Sequence, residues 1–187
     1  MADETVTFSI NVEKWDEVPE FLRESLPLRV MREMHNVQDN HRLLVIIAHG
    51  FIELLVSTLV KAKCKNASKL KNTRDFPHSA KLLILHELGH IDDFRYRSLD
   101  WFRGLRNSAA HEPLFEVNEE EWKDRYKQVT GDHVEKAEQV FNVTRFYDLC
   151  RMFVMTFWAN HADVFGPVFF PKSLSVQPVL IVPKQQP

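Results

Sequence analysis

The sequence predicts an all-α bundle built on two long core helices, with short extended segments at both ends. Three observations predict it. Residues 43–60 form an almost unbroken apolar run, residues 94–110 carry apolar side chains at helical spacing, and residues 146–158 are apolar on most faces. Apolar side chains that recur every three or four residues form one face of a helix. At 187 residues and 44% hydrophobic content, the chain can bury one core of its own.

The N-terminal 37 residues are expected to form an extension. Residues 5–12 alternate between polar and apolar side chains, as a short edge strand does. Residues 15–26 and 28–36 look like two short helices that are separated at Pro27, because proline disfavours a helical conformation in the residue before it.

The first long helix is predicted from about Asp39 to Lys63, with Asp39 or Asn40 capping its free amide groups. Pro77 suits the first turn of the next helix, which runs to about residue 88, because a proline there loses no hydrogen bond. Gly89 then suits the residue that ends this helix, since glycine tolerates positive φ.

Asp92 or Asp93 is expected to cap a helix over residues 94–110, which ends before Pro113. A short amphipathic helix follows at 118–129, and the second long helix covers roughly 133–162. These elements give a helical domain at residues 38–165. The tail, 166–187, holds five prolines and is expected to be extended. Its apolar residues 179–182 are expected either to add an edge strand beside residues 5–12 or to reach a neighbouring subunit.

Composition narrows the function classes. A formal net charge of −2 argues against nucleic-acid binding through an overall basic surface. The two cysteines form no C-x-x-C pair, and acidic residues stand where a signal peptide would be basic. The apolar run 43–60 is short for a bilayer and carries His49 and Glu53 at its centre, which favours a core helix over a membrane span. We therefore expect a soluble, cytoplasmic protein without membrane contact.

A first candidate site is the H-E-x-x-H motif formed by His86, Glu87 and His90. On one helix, histidines at i and i+4 can bind a single zinc ion while the glutamate polarises its water. The following stretch "HIDDFRYRSLDW" offers no H-x-x-G-x-x-H continuation to supply a third ligand, and Gly89 interrupts the motif. A zinc metallopeptidase is kept as an alternative, but a helix terminus is the favoured interpretation.

A second candidate site is the motif R-N-x3-H, formed by Arg106, Asn107 and His111 at the end of an aromatic-rich helix. Five residues correspond to 140° on an ideal helix, so Arg106 and His111 would diverge if the helix continued. Glu112 precedes Pro113 and is pushed out of the helical region. We expect His111 to leave the helix there and to turn back towards Arg106, or towards a second copy. Upstream, His49 and Glu53 are expected to form a satisfied buried pair, or Glu53 to hold Arg106.

The stretch "FPHSAKLLILHELGHIDDFRYRSLDWFRGLRNSAAHEP" resembles the core of the HEPN superfamily, of the DUF4145 and mannitol-operon-repressor type. These are small helical bundles, usually dimeric, marked by R-x4-6-H with a polar residue after the arginine. The resemblance covers about residues 40–115, and Glu53 matches a glutamate that often stands in the family's preceding helix.

The resemblance implies a metal-independent endoribonuclease of toxin or defence type, with RNA as substrate and no cofactor. His111 would take the proton from a ribose 2′-OH, Arg106 would hold the phosphate, and Asn107 would position it. Two protomers would form one cleft, and a cognate antitoxin or regulatory protein is an expected partner. Since many relatives are inactive, a non-catalytic regulatory dimer is the alternative. The lysines of the basic loop, Lys65, Lys69 and Lys71, are weaker candidates for RNA-backbone contacts.

Overall fold

The computed structural model describes residues 20–71, 75–130 and 145–170, with the backbone alone at residues 21, 22, 71, 121, 125, 126 and 128–130. Its helices, in chain order, are α1 (Glu20–Arg23), α2 (Leu26–Asn36), α3 (His41–Lys63), a 3₁₀ turn (Ala67–Lys71), α4 (His78–Glu87), α5 (Asp93–His111), α6 (Glu119–Thr130), α7 (Phe146–Asn160) and α8 (Ala162–Phe169). Over these ranges the regular structure is entirely helical, which confirms the all-α prediction.

Helix α3 is the centre of the bundle and packs against α2, α4, α5, α7 and α8. Leu44, Ile52, Leu55 and Leu59, on its inner side, are fully buried. The helix begins where predicted, because the Asn40 side-chain oxygen accepts a hydrogen bond from the Leu43 amide at 3.1 Å. Of the described helices, α3 alone is long and apolar enough to cross a membrane, and its packing against five other helices makes it the core helix of this bundle.

The turn between α4 and α5 follows the prediction. Gly89 has φ +69°, the one positive φ among the described residues. The Gly89 amide donates to the His86 carbonyl and the His90 amide donates to the Leu85 carbonyl, each at 2.8 Å. This pair of bonds is the Schellman motif, which closes a helix at a left-handed residue. Asp92 then caps α5, since its side chain accepts from the Arg95 amide at 2.8 Å.

Two of the predicted helix boundaries are wrong. Pro27 does not separate two helices but lies in the first turn of α2, where its missing amide hydrogen costs nothing. The second long helix does not run through residue 145, because Arg145 is extended (φ −123°, ψ 155°) and caps α7. Its amide donates to a side-chain oxygen of Asp148 at 3.0 Å. The predicted helical residues 133–144 lie outside the described residues.

At the C-terminus, α8 continues the helical domain to Phe169, so the predicted extended tail cannot begin at residue 166. Pro167 lies inside this short helix, at its sixth residue, and its missing amide hydrogen leaves the helix without the bond that residue 167 would donate to the Asp163 carbonyl. The two predicted edge strands, at residues 5–12 and 179–182, lie outside the described residues, as do residues 15–19 of the first predicted helix.

Candidate functional site

The R-N-x3-H motif lies at the C-terminal end of α5. Arg106 is half-buried, whereas Asn107 and His111 are exposed. The Arg106 Nη1 atom donates to the Asn107 side-chain oxygen at 3.4 Å. Within the described ranges no carboxylate lies within 4.0 Å of the Arg106 guanidinium, so the expected Glu53–Arg106 ion pair is not formed. Arg106 thus carries a charge that no acidic group of the described chain neutralises.

His111 does not leave the helix, contrary to the prediction. It is the last residue of α5, and the helix ends at Glu112, whose backbone is extended (φ −86°, ψ 122°) as Pro113 requires. The Arg106 and His111 side chains therefore point about 140° apart on the helix, the angle that five helical residues turn. Within one copy of the chain, the two groups do not converge on one point.

Arg42, on the first turn of α3, holds this end of α5. Its Nη1 atom donates to the Ala109 carbonyl at 2.7 Å, and its Nη2 atom donates to the carbonyls of Glu112 at 2.6 Å and Pro113 at 3.0 Å. The last carbonyls of a helix have no partner inside the helix, and the negative end of its dipole attracts a cation. Arg42 satisfies both needs, so the position of His111 is fixed relative to α3.

The H-E-x-x-H residues do not share one helix face. Helix α4 ends at Glu87, and Gly89 turns the chain before His90. The His86 Nε2 atom lies 2.7 Å from a carboxylate oxygen of Asp93, and the His86 ring stacks on Tyr96. No group of three or more histidine, cysteine or acidic side chains is placed to hold a metal ion in the described part of the chain. The geometry therefore disfavours the zinc-peptidase interpretation.

The basic loop lies away from the R-N-x3-H motif. Lys65 and Lys69 are exposed and follow the C-terminal end of α3, and the backbone of Lys71 ends the 3₁₀ turn there. Arg42, which touches the end of α5, is at the other end of α3, about 30 Å away for a helix of this length. The structure does not bring the loop lysines and His111 together.

A second polar cluster, which sequence reasoning missed, lies where α3, α4 and α5 meet. His49 on α3 is 3% exposed and His78 on α4 is 8% exposed, and their rings lie edge to face with centroids 4.9 Å apart. Among the described residues, none of the four ring nitrogens has a hydrogen-bond partner. The expected buried pair between His49 and Glu53 is therefore wrong: the neighbour of His49 is a second histidine.

The surroundings of this histidine pair are positively charged. The pKa of His49 is lowered to about 4, mainly by burial and to a smaller extent by the positive charges of Arg106 and Arg103. Burial also lowers the pKa of His78 to about 3, with smaller contributions from His49, Lys81, Arg103 and Arg106. Both imidazoles are consequently neutral at pH 7.

Lys81 completes the cluster from α4. It is only 5% exposed, and its Nζ atom donates to the Ser57 hydroxyl oxygen at 3.3 Å. A signal for this cluster is present in the sequence, because His78, Lys81 and Leu85 have the i, i+3, i+7 spacing of one helix face. Since Leu85 is fully buried, that face turns inwards and takes the two polar residues with it.

Comparison with known proteins leaves the family open: no family model, no curated protein and no solved structure matches this chain. The resemblance to the HEPN superfamily accordingly stays a prediction that rests on the residues quoted for it.

Proposed function

We propose that this protein is a metal-independent endoribonuclease of the HEPN type whose active site is assembled from two copies of the chain. The observation that carries the proposal is Arg106: a half-buried guanidinium that is held by Asn107 and has no acidic partner within the described chain. An arginine in this state is ready to bind an anionic phosphodiester, because no internal carboxylate competes for its donors.

The reaction needs two proton transfers. His111 accepts the proton of a ribose 2′-OH while that oxygen attacks the adjacent phosphorus, and the bond from phosphorus to the 5′-oxygen breaks. The leaving oxygen takes a proton from a second histidine, and the products are a 2′,3′-cyclic phosphate and a 5′-hydroxyl. Arg106 stabilises the charge that builds up on the phosphoryl oxygens, and Asn107 positions the guanidinium.

Two features support the use of two copies. Arg106 and His111 diverge by about 140° on one helix, so a second copy is needed to place a histidine beside the arginine. Helix α3 also exposes large apolar side chains, namely Leu43, Ile46 and Leu54. Leu43 follows Arg42, which binds the end of α5, so this apolar face begins next to the motif. Exposed apolar faces of this kind are typical of protein–protein contacts.

The experiment is a cleavage assay on single-stranded RNA in EDTA with the purified protein. Arg106→Ala and His111→Ala are each expected to lower the rate at least about 100-fold, the usual contribution of a positioned acid–base group. Arg97→Ala, which removes an exposed arginine from the same helix, is the matched control and is expected to cut at the wild-type rate.

A mixing experiment tests the shared site. Arg106→Ala copies mixed with His111→Ala copies regain part of the activity if both residues act across a dimer. If no activity returns although mixed dimers form, the shared-site mechanism is wrong.

The second candidate function is a non-catalytic regulatory dimer, of the kind that the mannitol-operon-repressor resemblance implies. The exposed apolar face of α3 supports this second function as well as the first, because such a face is suited to contact with another protein whether or not RNA is cleaved. The expected result is a dimer that cuts no RNA and that keeps both its oligomeric state and its partner binding in Arg106→Ala and His111→Ala. A cognate antitoxin, a cytoplasmic location and a role in defence remain parts of the first proposal.

A further inference from the structure

The cluster of His49, His78 and Lys81 is polar and charged but lies inside the bundle. All three residues are more than nine-tenths buried, at 3%, 8% and 5% exposure. A buried charge or an unpaired buried polar group is expensive unless a partner compensates it. Helices α3 and α4 supply these groups, and two arginines of α5, Arg103 and Arg106, act on them electrostatically.

Charge compensation within the cluster is incomplete. The partner of the Lys81 ammonium is a neutral hydroxyl, Ser57, and no carboxylate lies within 4.0 Å of it in the described ranges. Arg103 is paired with Asp100 at 2.9 Å, whereas Arg106 has no acidic partner there. The cluster therefore combines at least two uncompensated cations with two neutral imidazoles that have free ring nitrogens.

We propose that this cluster is a binding site for a phosphate-type oxyanion, held by His49, His78 and Lys81. The Lys81 ammonium and one N–H of each neutral imidazole donate to its oxygens, and its charge compensates the buried lysine. Three donors from two helices match the several oxygens of a tetrahedral anion. A metal cation fits the same nitrogens less well, because Lys81, Arg103 and Arg106 repel it.

This site goes beyond the proposed ribonuclease activity, which uses Arg106, Asn107 and His111. The oxyanion can come from free inorganic phosphate or from the phosphate group of a nucleotide. Both sources present the same phosphate oxygens to the three donors, so only separate binding measurements with each anion can distinguish them.

The test is isothermal titration calorimetry at constant ionic strength, with inorganic phosphate and adenosine monophosphate titrated separately. The wild-type chain is expected to bind at least one of them saturably. Lys81→Met keeps the length and the apolar stem of the side chain and removes its charge, and it is expected to bind about tenfold more weakly or not at all, as the loss of a charged hydrogen bond implies. Lys127→Met, which removes an exposed lysine from α6, is expected to bind as the wild-type chain does.

A second measurement keeps the proposal falsifiable if Lys81→Met does not fold. In the wild-type chain, the imidazole nitrogen resonances of His49 and His78 are expected to shift on addition of phosphate and not on addition of the same ionic strength of chloride. Three results overturn the proposal: no saturable binding of either anion, equal binding by Lys81→Met (an adventitious ion only), or tight binding of zinc alone that His49→Met abolishes.

Discussion

The two buried histidines make the stability of this protein depend on pH. Both have pKa values well below the ordinary 6.5, at about 4 for His49 and about 3 for His78, with burial as the largest cause. The folded chain therefore keeps both rings neutral at pH 5, whereas the unfolded chain protonates them near pH 6.5. A group whose pKa is lowered on folding in this way stabilises the folded state above the unfolded pKa, and that stability is lost as pH falls.

The magnitude follows from the protonation of the unfolded chain. A histidine with a pKa of 6.5 is about one quarter protonated at pH 7 and almost fully protonated at pH 5. This difference lowers the free energy of unfolding by about 2 kcal/mol for each buried histidine and by about 4 kcal/mol for the pair between pH 7 and pH 5. For a domain of ordinary stability that is a large fraction of the total.

The assay is urea unfolding at pH 7, 6 and 5, followed by circular dichroism in phosphate-free buffers of constant ionic strength. The double variant His49→Met, His78→Met is expected to lose about 4 kcal/mol less than the wild-type chain over this range. The charged groups that act on the two rings, Lys81, Arg103 and Arg106, are present in both proteins. Their effects, like those of other titrating groups, therefore cancel in the difference. His111→Met, which replaces an exposed histidine, is the control and is expected to keep the wild-type loss.

The reasoning is refuted if the double variant and the wild-type chain lose the same stability between pH 7 and pH 5. That result would mean that the two rings take up protons in the folded state, and the closed, partner-free environment of His49 and His78 would then be incorrect.

Three further predictions concern stability and metal binding. Gly89→Ala is expected to lower the free energy of unfolding by about 1–2 kcal/mol, because alanine must adopt the positive φ of the Schellman turn. Gly104→Ala, on the exposed side of α5, is expected to raise it by about 0.5–1 kcal/mol, and urea unfolding measures both changes. Arg42→Met is expected to lower the free energy of unfolding by about 1–3 kcal/mol and to speed amide hydrogen exchange near residue 112, because three carbonyls lose their hydrogen-bond donor. Unchanged exchange would show that the hydrogen bonds of Arg42 are not formed in solution. The wild-type chain is expected to bind no stoichiometric zinc in atomic absorption after dialysis, and zinc that His86→Ala abolishes would revive the peptidase interpretation.

Much of the fold could be predicted because its signals are local. Asn40, Gly89, Asp92 and Pro113 each set a helix end through their own backbone or side chain, and the structure places all four ends within about two residues of the prediction. The failures have non-local or ambiguous causes. Pro27 can either end one helix or begin the next, and the sequence pattern alone cannot choose.

The site was harder to predict than the fold because its contacts join residues that are far apart in the sequence. The contact of His49 with His78 joins two helices that are separated by the whole loop between them, and spacing along the chain carries no information about it. The end of α5 depends on Arg42, a residue 67 positions before its first partner, Ala109. The divergence of Arg106 and His111 could have been predicted by letting α5 run to the last residue before Glu112.

The three hydrogen bonds of Arg42 also bear on how the protein can change over evolutionary time. They fix the chain at Pro113, so the segment that follows, up to the start of α6, no longer determines where His111 lies. Insertions and deletions after Pro113 are thereby separated from the geometry of the motif, since a loop whose end is anchored absorbs changes in length at little cost. The connection to α6 is thus the place where related chains can differ in length and still present the same helix end.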